Sequence, residues 1–453
     1  MIDDFWSTRP ALQHVLQSAR AAGAGPWAVL GSVLARGIVT IPPEIVLPPT
    51  IGGRMSLNLF IAHTGPSGGG KGIAEAVAVE NFNFGQEIDE TPLGSGEGIA
   101  RTFRPVGTKP EDPNAISAAL FTASEIDTVT ALASRSGSTL SAEIRKTYSG
   151  EQLGFGNAGK DTRVVVAAHS YRACMTVGVQ PLRSRPLLDA ADGGLPQRFV
   201  WLPTSDPDAP DDPPEHPARL KIKRPHWLRP VGSRFDLHVP SSARDAIRAH
   251  RLAVLREDPA VDPLDGHALL TRLKVAVGLM ALDGRSVVSD EDWALAGHVM
   301  DVSAHTRQRC QRALAEASRS ANTARALADA ERDEIKSDRL LQRCKTGVLR
   351  ALAQHHTGRL IPHNQLRRGL RSEVRDYFSA AVNELIAENH IIAVRTPKGM
   401  SYRRPPVDDT STPSDQRKPW VDDTSTGGRR PAHQRQRTRG QHRDTQQTEG
   451  ESA

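Results

Sequence analysis

The chain has 453 residues, 38% hydrophobic and 4% aromatic, which suits two or three domains with cores of their own and excludes a fibre or a wholly disordered chain. No run reaches the roughly 18 apolar residues of a membrane-spanning helix, MIDDFWSTRP lacks a leader's apolar segment, and Cys174, Cys310 and Cys344 form no metal or disulfide pattern, so a cytoplasmic protein without a membrane partner is expected. The net charge of +6 is modest, but Arg339 to Arg404 holds 13 Lys or Arg against 4 Asp or Glu, so one region carries the excess and is the candidate for meeting nucleic acid.

In chain order, residues 1–50 are expected to hold a helical segment, from Ile2 to about Ala35, and a Pro-rich connector; Leu12, Val15, Leu16 and Ala19 and then Trp27, Leu30, Val33 and Leu34 fall at helical spacing. A connector follows, IPPEIVLPPTIGG (41–53), whose four prolines forbid regular helix. Residues 51–218 carry short apolar runs: LNLFIAH (57–63), ISAALFTA (116–123), TRVVVAAH (162–169) and QRFVWLP (197–203). Such runs, parted by Gly-rich turns and helical segments, predict buried parallel strands of an α/β domain, ended by the acidic, Pro-rich stretch 204–217.

Residues 219–336 are again helical by period, including 267–282, 290–300 and a charged stretch from Leu314 to Asp333, and predict a helical lid on the α/β domain. Residues 337–404 read as helix, short strand, short helix, amphipathic helix and two strands about a Pro-Lys-Gly turn, the order of a winged helix-turn-helix. In that module Arg367, Arg368, Arg371 and Arg375 fall at the turn and start of the recognition helix, and Arg395, Lys398, Arg403 and Arg404 on the wing, where DNA phosphates are expected. Winged helices also serve as protein-binding modules, so a protein partner stands beside DNA. Residues 405–453 repeat VDDTST, are rich in Thr, Ser, Gln, Arg and Gly, and are expected to be disordered.

The chemistry concentrates after LNLFIAH. Gly65, Pro66, Ser67, Gly68, Gly69, Gly70 and Lys71 form GxxxxGK between a strand and a helix, where glycines open backbone N–H groups to phosphate and the lysine reaches the terminal phosphates. The plain alternative is a flexible turn with an accidental lysine. The next position, which usually supplies a hydroxyl to Mg2+, is Gly72. On the later run ISAALFTASEID, Glu125 stands at the place of a catalytic carboxylate, with Ser124 where a metal-holding Asp usually stands. Glu97, in LGSGEGIA (93–100), is either a second candidate base in a glycine loop or an exposed turn glutamate. His169 ends TRVVVAAH, either at the γ-phosphate or satisfied by backbone, and Arg198 begins an apolar strand, either as a finger toward a neighbouring subunit or in an edge ion pair.

FWSTRPALQHV, GPWAVLGSVLAR, PPTIGGRMSLNLF running into GPSGGGKG, GSGEGIA, DAADGGLPQRFVWLP and HALLTRLKVAVGLMALDGR together resemble a poorly characterised family of P-loop ATPases. These are helicase-like replication proteins of actinobacterial phages, plasmids and integrated elements. The likeness covers about residues 2–310. It implies Lys71 as the phosphate lysine, Glu125 as the acidic-motif residue, Arg198 as a finger and Arg272 as a sensor in the lid. The fold class expected is therefore α/β: a P-loop NTPase core with a mostly parallel sheet, N-terminal helices, an α-helical lid and a C-terminal winged helix-turn-helix. ATP and Mg2+ are the implied cofactors, with DNA, further copies of the chain and a separate primase as partners. Gly72 and Ser124 keep open a second reading, a DNA-binding regulator or partition-type factor that uses ATP as a switch without efficient hydrolysis.

Overall fold

A computed structural model describes residues 5–104, 116–133, 139–155, 164–189, 194–227, 234–262, 265–356 and 358–406. The expected disordered tail, from 407 on, lies outside the described residues. The chain divides into two units, Met1–Ala328 and Asp329–Ala453, and a helix from Asp290 to Ala353 contains the boundary. Each unit is taken by itself.

The first unit is mixed α/β, built on five parallel strands: β1 (Phe60–Thr64), β2 (Glu90–Pro92), β3 (Ala118–Ala123), β4 (Arg172–Val179) and β5 (Phe199–Pro203). Their order is β5-β1-β4-β3-β2. Alternate residues leave opposite faces, as the two-residue period of a strand requires. Ile61, Leu120, Cys174, Val200 and Leu202 join one core, and Phe60, Phe121, Met175, Phe199 and Trp201 join the other. Helices cover both faces, which is why the strands read as nearly continuous apolar runs. On the first face lie α1 (Pro10–Ala21), α2 (Pro26–Val39) and α3 (Lys71–Asn81). On the second lie α4 (Gly96–Phe103) and α6 (Leu140–Ser149), and α5 (Ile126–Ala133) follows β3.

The structure redraws two expected strands. Among the described residues of TRVVVAAH, 164–169, Val164–Val166 is strand, and it pairs antiparallel with Leu153–Phe155 outside the main sheet. The central place goes to β4, eight buried residues beginning at Arg172. QRFVWLP splits: Gln197 and Arg198 close a one-turn helix, and strand begins at Phe199.

The amino-terminal edge of the sheet is braced by buried cations. Arg172 donates to the carbonyls of Ile41, Pro42 and Ile45 at 3.2, 2.8 and 2.7 Å, tying the Pro-rich connector to β4, and burial pushes its pKa down to about 10. Lys274, in the Asp265–Leu282 helix, donates to the Asn58 and Tyr148 carbonyls at 2.8 and 2.6 Å. It lies 3.3 Å from the centre of the Tyr148 ring, and burial holds its pKa well below the usual lysine range.

This helix packs against α2 and that same edge, not as the expected lid over the glycine loop. Its last ten residues are all buried, with Lys274 as their one charged member, so this part is a core element rather than an amphipathic cover.

The second unit holds the end of the long helix, a short helix His363–Arg368, a 3-10 turn Ser372–Tyr377 and a helix Phe378–Ala387. Three antiparallel strands complete it, in the order Ile361–Pro362, Gly399–Arg403, Ile392–Thr396. Val348, Leu352, Leu366, Phe378, Leu385 and Tyr402 form its core. Lys345, its side chain 10% exposed, pairs with Glu384 at 3.2 Å and with Glu388, fixing the long helix to Phe378–Ala387.

Candidate functional site

In a parallel sheet, ligands collect beyond the carboxyl ends of the strands where the connections leave in opposite directions. Here β1 connects through α3 toward β2 at one edge, whereas its neighbour β4 leads to β5 on the other side of β1. The loop after β1 stands at that point. Gly68 and Gly70 take φ of +73° and +80°, which only glycine adopts cheaply, and Gly70 caps α3 so that its positive end begins at Lys71.

Two further glycines are required by close approach. A Cβ on Gly65 would lie 1.9 Å from Thr204 Oγ1, and one on Gly178 would lie 2.0 Å from the Ser124 carbonyl oxygen and 3.2 Å from Lys71 Cδ. The second contact draws the ends of β3 and β4 together beneath the lysine. Lys71 Nζ donates to the carbonyls of Pro66 at 2.8 Å and Gly65 at 3.3 Å. Burial lowers its pKa and the charge of Glu125 opposes that shift. Ser67, Gly69 and Gly72 complete the loop; Ser67 is exposed, Gly69 N–H donates to Pro66 at 3.0 Å, and a Cβ on Gly72 would meet nothing within 4 Å.

Glu125 and Ser124 follow β3, both exposed at this carboxyl edge. Gln180, directly after β4, donates from Nε2 to Glu125 Oε1 at 3.3 Å. The structure thus brings Lys71, Glu125, Ser124 and Gln180 to one edge. Behind them Glu75, one turn into α3, accepts from Thr176 Oγ1 at 2.7 Å, and burial raises its pKa. His63 Nδ1 lies 3.7 Å from Glu75, but burial pushes His63 down to about 4, so the contact is not an ion pair near neutrality.

The remaining candidates fall elsewhere. Glu97 lies not in a loop but in the first turn of α4, where Ser95 Oγ caps the Gly98 N–H at 3.1 Å. Its strand, β2, is the sheet edge, three strand spacings or about 14 Å from β1. His169 is at the opposite edge. It precedes β4, adopts φ +59°, and its Nδ1 lies 3.0 Å from Ser56 Oγ; because the expected strand is a side hairpin, the histidine does not reach the carboxyl edge beside Lys71.

Arg198 also lies at the amino-terminal edge, 8% exposed, with its guanidinium 5.7 Å from the centre of the Tyr148 ring, so it faces the interior of its own chain. Arg272 stacks on Trp293 at 3.9 Å and donates twice to the Trp293 carbonyl. Among the described residues no group of three or more His, Cys, Asp or Glu converges as metal ligands.

In the second unit, Arg367 and Arg368 end the short helix and Arg371 caps the 3-10 turn. Arg375 spends its donors on the Leu370 and Arg368 carbonyls at 2.9 and 3.0 Å. Arg395 and Lys398 are exposed on the hairpin. The exposed face of Phe378–Ala387, Ser379, Ala380, Asn383 and Ala387, has no basic residue, so the arginines precede this helix rather than start it.

Two participants, Gln180 and Gly178, were not legible beforehand. The signal was the run RACMTVGV followed by a polar residue, obscured by the VVV run just before it. No family profile and no curated protein matches this chain.

Proposed function

We propose that this chain is an ATP-binding, helicase-like replication protein of a mobile element, with a P-loop NTPase core and a DNA-engaging winged helix. The observation that carries this reading is Lys71 and its glycine loop at the carboxyl edge between β5 and β4, beside Glu125 and Gln180. The loop suits a triphosphate: glycine backbone that approaches closely, the start of α3 and one ammonium group provide donors and positive potential. Lys71 would hold the terminal phosphates, Glu125 would orient the attacking water, and Gln180 would fix the Glu125 carboxylate. With glycine at 72, Mg2+ would be held by the nucleotide, water and the Ser124 hydroxyl. Arg367, Arg368, Arg371, Arg395 and Lys398 would meet DNA phosphates, and further copies of the chain and a separate primase are the expected partners.

The second reading, an ATP-gated DNA binder that turns over slowly, is favoured by the missing hydroxyl at Gly72. Titration with a fluorescent ATP analogue tests the shared part, since both readings expect saturable binding that Lys71→Ala weakens by tenfold or more. Displacement of a strand from a forked duplex separates them, because a gated binder holds the fork and leaves it paired. A wild-type protein that binds no nucleotide contradicts both.

A further inference from the structure

We propose that the second unit carries a phosphate-binding track on its long helix, formed by Lys336, Arg339, Arg343 and Arg350 and continued by Arg371, which lies along the backbone of duplex DNA. This deepens, and rests on, the DNA-engaging reading above, but it moves the main contact from the short helix and the hairpin to the long helix.

At 3.6 residues per turn, positions 332, 336, 339, 343 and 350 fall within a sector about 60° wide and about 27 Å long. All five are Lys or Arg and exposed. From residue 330 onward the acids of this stretch, Glu331, Asp333, Glu334 and Asp338, lie outside the sector, and Arg332 alone is neutralised, by Asp329 at 3.2 Å. Among the described residues, the side chains of Lys336, Arg339, Arg343, Arg350 and Arg371 make no hydrogen bond or ion pair, whereas Arg332 pairs with Asp329. The opposite face of the helix carries Cys344, Val348 and Leu352 into the core. Lys345, on that side, is already paired.

Two adjoining grooves of 960 and 540 Å3 border the sector; Arg343 and Glu373 line both, Lys336, Arg339 and one acid, Asp338, line the first, and Arg350 and Arg371 line the second. Exposed cations held in a row on a rigid helix, without internal partners, complement a polyanion. The duplex is favoured over a single strand because the helix has no Phe, Tyr or Trp from 329 to 353 on which bases could stack.

The test is binding of a 20-base-pair duplex and a 20-nucleotide single strand across a salt series. It uses the wild-type chain, the triple variant Arg339→Gln/Arg343→Gln/Arg350→Gln, the same three positions changed to Lys, and Arg395→Gln/Lys398→Gln. All substituted side chains are exposed, and circular dichroism verifies folding. The expected result is that the Gln triple binds duplex about tenfold or more weakly, with a log–log salt slope shallower by about 0.9 per lost contact, while the Lys triple retains the wild-type slope. A Gln triple with wild-type affinity and slope overturns the track and leaves the DNA reading standing if the hairpin variant is impaired. Wild-type protein that binds no DNA overturns both, and preference for the single strand overturns the duplex assignment.

Discussion

Single residues decide the chemistry through how little space they leave. Gly65 is held against Thr204, so Gly65→Ala should destabilise the first unit by about 1–3 kcal/mol and weaken nucleotide binding, and adding Thr204→Ala should recover part of both. Thermal melts of the single and double variants check this; a Gly65→Ala protein that melts with the wild type contradicts the close approach. Gly72 is the converse, since a Cβ there meets nothing. Gly72→Ser should fit without loss of stability and raise Mg2+-dependent turnover severalfold, and unchanged turnover would mean that the hydroxyl is not what limits hydrolysis.

Asp292 illustrates a residue whose part is structural. Burial alone would raise its pKa, but Arg285, the Ser289 N–H and Arg9 outweigh that and hold it below the ordinary 3.8. A depressed carboxylate contributes stability that is present above its unfolded pKa and lost as pH falls through the lower folded value. Asp292→Asn should therefore cost about 1–3 kcal/mol near neutrality, because Arg9 and Arg285 lose the more buried of the two anions they share and keep only Asp283 in common. The difference from wild type should shrink below about pH 4, which melting curves from pH 2 to 7 would show. Of the site residues, Lys71 and Glu125 were legible because a glycine loop or a strand end marks each. Gln180 was not, since an amide after an apolar run carries no pattern of its own.

Elements were readable where their period was unbroken and misread where two apolar runs compete. TRVVVAAH and YRACMTVGV stand in tandem, both rich in β-branched or small apolar residues, and periodicity does not say which enters a sheet. In the fold Arg172 is fully buried because three carbonyls of the connector accept from it, a long-range compensation that local pattern does not contain. Likewise Lys274 disguises a core helix as an amphipathic one. In the second unit, Phe378 is fully buried among Leu366, Leu385 and Tyr402. Phe378→Ala should cost about 3–5 kcal/mol there. Calorimetry should show that loss while the nucleotide binding proposed for the other unit persists; loss of both together would contradict the independence of the two cores.

At the scale of the whole molecule, composition places the basic excess between Arg339 and Arg404, but only the helical geometry shows which cations share a face. The helix Asp290–Ala353 joins what read as three separate helical segments, because no Gly or Pro interrupts it between Gly297 and Gly347. No helix among the described residues is long and apolar enough to cross a membrane. The glycine loop and the basic track lie in different units of one chain, so a protein that works as proposed must link nucleotide state to DNA. Steady-state ATP hydrolysis with Mg2+, with and without duplex or forked DNA and beside Lys71→Ala, measures that link directly. The expected result is turnover that DNA stimulates severalfold and that Lys71→Ala abolishes. Turnover that is indifferent to DNA, or that survives Lys71→Ala, would contradict it.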